Sequence, residues 1–307
     1  MKFQPKPLSA KMPLRLPTHV AIKLVLLVVT VNSGWLLASD RSWETAMSAG
    51  EVTYEQCNFL AAESYLRKAA DQAMTFELSD ARLWQTLDAL AQVYGGEGKY
   101  ERAEEAERRA LIMEKVWLGS EHPMVATSLD HLGVLYMEDQ GRYAEAEPLL
   151  KSSLAIREKV TGPNHPDVGV SLDHLAELCQ YQGRYSEAES LFRRALTIQE
   201  NALGPEHPAV ATTLDNLGWL YTMEGRYAEA ESLEQRAIAI YRKALGPNHC
   251  ELAAALRSYA TLLDKINRPG EADKAEAEAF TITENSIRAE NRKISRTQRR
   301  GFLRLHQ

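Results

Sequence analysis

Between residues 208 and 246 the apolar side chains trace two helices in succession. In Pro208–Met223, Val210, Leu214, Leu217 and Tyr221 recur at steps of three and four, one face of an α-helix, and Gly225 supplies the left-handed residue that ends it. A second helix opens at Tyr227, turns Ala230, Leu233, Ala237, Ile238 and Tyr241 inward, and stops at Gly246 with Pro247 beyond it. Neither helix has an apolar stripe wide enough to be buried alone. Each needs a neighbour, and the pattern on both sides supplies one.

The same pair of helices recurs. A loop reading GSEHP at Gly119 returns as GPNHP at Gly162, GPEHP at Gly204 and GPNHC at Gly246, at spacings of 43, 42 and 42 residues. A second landmark, GKYERAE, GRYAEAE, GRYSEAE and GRYAEAE, starts at Gly98, Gly141, Gly183 and Gly225 and keeps step with the first. The period is therefore 42, with one residue inserted in the turn YMEDQGRY, where YTMEGRY is the shorter form and an extra residue costs little. Within each unit, helix A opens at the proline of the HP pair (Pro123, Pro166, Pro208), a first-turn position that needs no N–H. Small residues at Ala103, Ala146, Ala188 and Ala230 stand where helices A and B must approach closely.

These units resemble the tetratricopeptide repeat, whose sites are carried here by LDNLGWLY at Leu214 and GRYAEAE at Gly225. The 42-residue period and the LGPEHP loop look more specifically like the kinesin-light-chain type. The resemblance covers about residues 80–280 and implies an all-α fold, an α/α superhelical solenoid of helix-turn-helix repeats. Asn58–Phe76 matches a helix B, whereas the segment before it matches a helix A poorly, so a degenerate repeat is expected over about 43–78. In the last unit GRYAEAE has become NRPGEAD at Asn267, and Cys250 stands where the HP proline belongs. Atypical end units are what a solenoid needs, because each end must face water.

The resemblance also implies a site. The family's A helices line a concave groove that holds peptide segments, and in the kinesin light chains paired asparagines in the motif matching LDNL clamp a cargo peptide. The matching positions here are Asp88 with Ala89, Asp130 with His131, Asp173 with His174, Asp215 with Asn216, and Arg257 with Ser258; one turn further on stand Gln92, Glu177 and Trp219. Four stacked aspartates in place of neutral amides would make an acidic groove with His and Asn donors, suited to a Lys- or Arg-bearing peptide. The expected function is non-catalytic binding of a protein or peptide, as an adaptor or assembly scaffold. A spacer with no groove ligand, and a hydrolase with a site hidden in the degenerate segments, are the alternatives.

Charge divides the 307 residues into three. Residues 1–38 and 283–307 each carry a net +5, so the body between them holds −16 of an overall −6. A body so acidic repels phosphate backbones, which excludes nucleic acid as the main ligand. Leu24–Ala38 is an uncharged run of fifteen residues behind a basic flank, which reads as a signal peptide or a short membrane anchor. By the positive-inside rule the body then lies outside the cytoplasm, in the periplasm if the source is bacterial. The tail from Ser286 holds seven Lys and Arg residues. The low Gly and Pro content, 17 and 12 residues, and 7% aromatics favour helix over a β-sandwich.

No catalytic or metal motif stands out, and no cofactor is expected. His122, His165, His207 and His249 recur with the loop, but equivalent atoms of neighbouring repeats lie about a helix packing distance apart, ~8–10 Å, so they are expected to cap helices rather than share a zinc ion. Cys57, Cys179 and Cys250 are too few and too widely spaced for a disulfide framework, and Cys179 is expected to be packing.

Overall fold

The computed structural model describes residues 36–77, 80–139 and 141–285, with side chains from residue 41 onward. Most of the apolar run 24–38 and the basic tail from Ser286 therefore lie outside the described residues. Among those described, twelve helices follow one another without a strand. They are α1 (Leu36–Glu55), α2 (Phe59–Ala73), α3 (Ala81–Gly96), α4 (Tyr100–Trp117), α5 (Pro123–Glu138), α6 (Tyr143–Thr161), α7 (Pro166–Tyr181), α8 (Tyr185–Leu203), α9 (Pro208–Glu224), α10 (Tyr227–Ala244), α11 (Cys250–Lys265) and α12, from 269 to 285. Odd-numbered helices are the A helices and even-numbered ones the B helices of an all-α repeat solenoid.

By packing, the chain divides into two units. The first holds α1 to α8; the second holds α9 to α12 together with the turn Glu55–Asn58. In the first unit, α3, α5 and α7 each pack against their own B helix, and α4 and α6 also against the next A helix. Three apolar clusters fill the joints: Trp43, Leu66, Trp84 and Leu90 across α1 to α3, Leu111, Leu132, Leu135 and Leu150 across α4 to α6, and Val168, Leu172 and Ala195 across α7 and α8. In the second unit Leu214, Leu220, Tyr241, Leu252 and Leu262 are fully enclosed.

The landmark residues have separate physical tasks. Ala103, Ala146, Ala188 and Ala230 are completely buried, as close approach of A and B requires. Gly98, Gly141, Gly183 and Gly225 all take left-handed φ, between 71° and 80°, at the A-to-B turn. The basic residue after this glycine ties consecutive repeats together at three of these turns, Lys99 with Glu63 at 2.8 Å, Arg142 with Glu104 at 2.7 Å and Arg184 with Glu147 at 3.4 Å, and Arg268, after the equivalent Asn267, pairs with Glu231 at 2.6 Å. The loop histidines are N-caps. Each Nδ1 of His122, His165, His207 and His249 accepts the backbone N–H two residues on, at 3.1 to 3.3 Å. A ring nitrogen that accepts from the backbone is already occupied.

Three findings modify the sequence reading. The poorly matching segment before α2 is nonetheless a full helix A: Trp43 on α1 donates its indole N–H to Thr86 Oγ1 at 2.9 Å, and Gly50 lies against Leu66. On α10 Leu233 is only half-buried, and the enclosed position falls to Glu234. The cysteines do form a bridge. Cys57 and Cys250 are disulfide-bonded with Cα atoms 6.4 Å apart, 193 residues apart in sequence. Spacing concealed this because the two residues stand at landmark positions of different repeats. Cys57 holds the left-handed glycine position, with φ 57°, and Cys250 the first-turn proline position. Cys179 is buried packing, its thiol pushed up to about 11 by burial.

Candidate functional site

One register of the A helices holds Asp88 in α3, Asp130 in α5, Asp173 in α7 and Asp215 in α9, and Arg257 takes it in α11. The expected open row of aspartates is corrected here. Asp130, Asp173 and Asp215 are 1%, 5% and 3% exposed, and among these four only Asp88 reaches the surface. Of the other expected groove residues, Gln92, His131, Asn216, Trp219 and Ser258 are also buried, as is Ala89. His174, Glu177 and Arg257 are half-buried.

Neighbouring elements use Asp88, Asp130 and Asp173. In the first unit two of them are joined to the residue after the aspartate of the following repeat: His131 Nδ1 donates to Asp88 Oδ1 at 3.0 Å, and His174 Nδ1 donates to Asp130 Oδ2 at 2.7 Å. The helix B of the same repeat adds a second partner. Arg157 on α6 is 4% exposed; its Nη1 lies 3.5 Å from Asp130 Oδ2 and donates to Ser171 Oγ at 2.7 Å and to the Asp167 carbonyl at 3.1 Å. Gln199 on α8, in the same register, donates to Asp173 Oδ2 at 2.9 Å. A polar ladder thus runs through the joints of the solenoid.

Its electrostatics differ from joint to joint. Burial opposes ionisation of Asp130, but the charges of His174 and Arg157 overcome it and hold the carboxyl well below the usual range. Burial likewise opposes protonation of His174, and Asp130 reverses the balance, so its pKa is raised. The first joint lacks this neutrality. Where Asp130 meets Arg157, Asp88 meets Glu114, and where the next repeats place Leu150 and Phe192, the first places Glu107. Burial, with the Asp88 charge adding to it, pushes both glutamates up to about 8.

Sequence reasoning missed these B-helix residues because it read helix B for its apolar face alone. Their signal is a count from the turn glycine. Nine residues on stand Glu107, Leu150, Phe192 and Glu234; sixteen on stand Glu114, Arg157, Gln199 and Tyr241. Polar residues alternating with apolar ones at enclosed positions mark where repeats have diverged. In the second unit Tyr241 shares a hydrogen bond with Thr212 at 2.8 Å, while Arg257 donates to Thr283 Oγ1 at 2.9 Å.

Comparison with known proteins follows the same division into repeats. The sequence profile of the tetratricopeptide repeat matches residues 124–201, 171–243 and 225–285, and a second profile of the same description matches 85–123. No protein of curated function matches the chain. Among solved structures, BtubC (BKLC) from P. vanneervenii aligns over 81% of this chain and 92% of its own, at 20% identity and a TM-score of 0.54. A kinesin light chain of Podosopora anserina with nearly identical repeats aligns over 69% and 99%, at 27% identity and a TM-score of 0.52. A Rap protein complexed with Competence and Sporulation Factor aligns over 80% and 76%, at 15% identity and a TM-score of 0.59.

Proposed function

The chain belongs to the tetratricopeptide repeat family, and on that premise we propose that it is a non-catalytic protein-interaction module that holds a peptide segment against the A helices of its first unit. The observation that carries this reading lies within one register: the ladder encloses most of its polar residues, while Asp88 and His174, themselves joined into the ladder, and Glu177 stay half-buried on A helices. Such a surface offers carboxylate acceptors on a scaffold already fixed from behind. The ladder rigidifies the site, so little ordering entropy opposes ligand binding.

The ligand we propose bears Lys or Arg. Of the three half-buried ionisable groups, Asp88 is joined to His131 and Gln92 and the imidazole of His174 is matched by Asp130, which leaves the Glu177 carboxylate to set the charge of this surface. The test is peptide selection against the full chain, followed by calorimetry at two ionic strengths on the protein and on Glu177→Gln. Basic peptides should be selected, bind more weakly at higher salt, and lose affinity in the variant. Failure to select any peptide would leave a structural spacer. Selection of acidic or apolar peptides would refute the charge argument alone.

We further propose that the repeats lie outside the cytoplasm, tethered or exported through the apolar run 24–38. The Cys57–Cys250 disulfide supports this, since such bonds persist in oxidising compartments. Among the described residues no helix is long and apolar enough to cross a membrane. Deleting residues 1–34 leaves α1 intact and should yield a soluble helical protein; loss of helicity would place that segment in the core instead.

A further inference from the structure

The first joint of the ladder carries more than its neighbours need for packing. Asp88 on α3, Glu107 on α4 and His131 on α5 bring one carboxylate oxygen each and an imidazole nitrogen within 4.8 Å of one another. The Asp88 Oδ1 to His131 Nδ1 distance is 3.0 Å and the Glu107 Oε1 to His131 Nδ1 distance is 3.5 Å. Ligand bonds of about 2.0–2.2 Å in a tetrahedral shell place neighbouring donors roughly 3.3 Å apart, so this spacing suits a common metal ion.

Glu107 supplies a second and independent observation. It is 0% exposed, its two oxygens lack a hydrogen-bond partner, and one of them faces the imidazole of the cluster. A carboxylate enclosed in this way is costly unless a cation meets it. At the following joint the corresponding site is apolar (Leu150), and Asp130 is met by Arg157 as well as His174. The first joint has three carboxylates, those of Asp88, Glu107 and Glu114, for one imidazole. Glu114 accepts from Ser128 Oγ at 2.6 Å, and Gln92 donates to Asp88 Oδ2 at 3.0 Å while its own Oε1 is buried without a hydrogen-bond partner.

We propose that Asp88, Glu107 and His131 form a structural site for a divalent transition-metal ion of the zinc class, joining α3, α4 and α5. A mixed imidazole and carboxylate donor set favours a first-row ion over calcium or magnesium. The ion replaces the proton that His131 Nδ1 shares with Asp88 and the proton of the Glu107 carboxyl, and both protons pass to solvent. Asp88, with a side chain 16% exposed, is the side from which the ion arrives. Water or Gln92 Oε1 completes the shell.

The test uses the full chain stripped with a chelator, then titrated separately with Zn2+, Mn2+, Mg2+ and Ca2+ against a chromophoric competitor, with thermal midpoints recorded in parallel. One equivalent of Zn2+ should bind and raise the midpoint, with Mn2+ weaker and Mg2+ and Ca2+ without effect. Glu107→Leu, which installs the residue of the next repeat, should raise the metal-free midpoint and lose the bound equivalent. His131→Asn, the residue at 216 in the same register, should also lose it, while His165→Asn at a capping position should keep it. Binding that is absent from the wild type, or equal in wild type and Glu107→Leu, would overturn the proposal and leave the joint held by protons alone.

Discussion

Arg157→Met tests the ladder most directly, because it keeps an unbranched apolar stem and removes the guanidinium with its charge. In the wild type the guanidinium serves Asp130, Ser171, the Asp167 carbonyl and Thr127, all from a position 4% exposed. Removing one partner of a buried ion pair costs about 3–5 kcal/mol, chiefly because the remaining charge is left enclosed. Asp130 retains its 2.7 Å bond to His174, which places the expected loss near ~3 kcal/mol. The chain provides its own control. In the next repeat Gln199 occupies this register and donates to Asp173 at 2.9 Å, so Arg157→Gln should keep one hydrogen bond and lose only about 1–2 kcal/mol. Urea unfolding followed by circular dichroism, with hydrogen exchange on α5 to α7, would measure both. Exchange is needed because a repeat array does not unfold in one step, and the damage should be local. Equal losses in the two variants, or a loss below ~1 kcal/mol in Arg157→Met, would mean that the ladder is not what secures this joint.

Three further outcomes are expected. In chelator, stability should fall as pH rises from about 4.5 to 8: the folded state holds protons on Glu107 and Glu114 that the unfolded chain has released, and chemical unfolding of Glu107→Leu over this range should give a flatter profile. Ala188→Trp, at a completely buried contact between α7 and α8, should cost about 1–3 kcal/mol and expose residues around 180–205 to protease, whereas Ala272→Trp should only fray the end; equal losses would contradict nearest-neighbour stability. Cys57→Gly should melt below the wild type in oxidising buffer, by about 2–4 kcal/mol, and above it in reducing buffer, because glycine relieves the left-handed φ of 57° once the disulfide is gone.

The repeat, its helices and their turns were legible in the sequence because each rests on a local rule. A turn glycine with positive φ, a proline in the first helical turn and an alanine at a close approach are fixed by the conformation of a few residues, and the 42-residue period repeats them often enough to exclude chance. The site was legible only in part. Asp88, Asp130, Asp173 and Asp215 were found by register, but whether an aspartate faces solvent depends on what the neighbouring helices present to it. For Asp130 the answer lies at Arg157 and His174, 27 and 44 residues away. The disulfide was hidden for the same reason: its two cysteines each replace a landmark residue, and nothing local says that they meet.

These two kinds of position have different consequences for the array. Apolar faces so alike from repeat to repeat would allow one unit to pack on the wrong neighbour at little cost, which is the characteristic misassembly of repeat proteins. The ladder distinguishes the joints. Asp88 meets His131 with two glutamates behind it, Asp130 meets His174 with an arginine behind it, and Asp173 meets a glutamine. Moving a helix B by one repeat would set Glu114 or Gln199 against Asp130 in place of Arg157, leaving that carboxylate without its guanidinium. A mismatch of that kind costs several kcal/mol in a dry joint, so the polar residues enforce order while the apolar ones provide cohesion. The half-buried Asp88 and His174 are then held by the same residues that set the order, so the surface proposed to meet a peptide is fixed by the ladder itself.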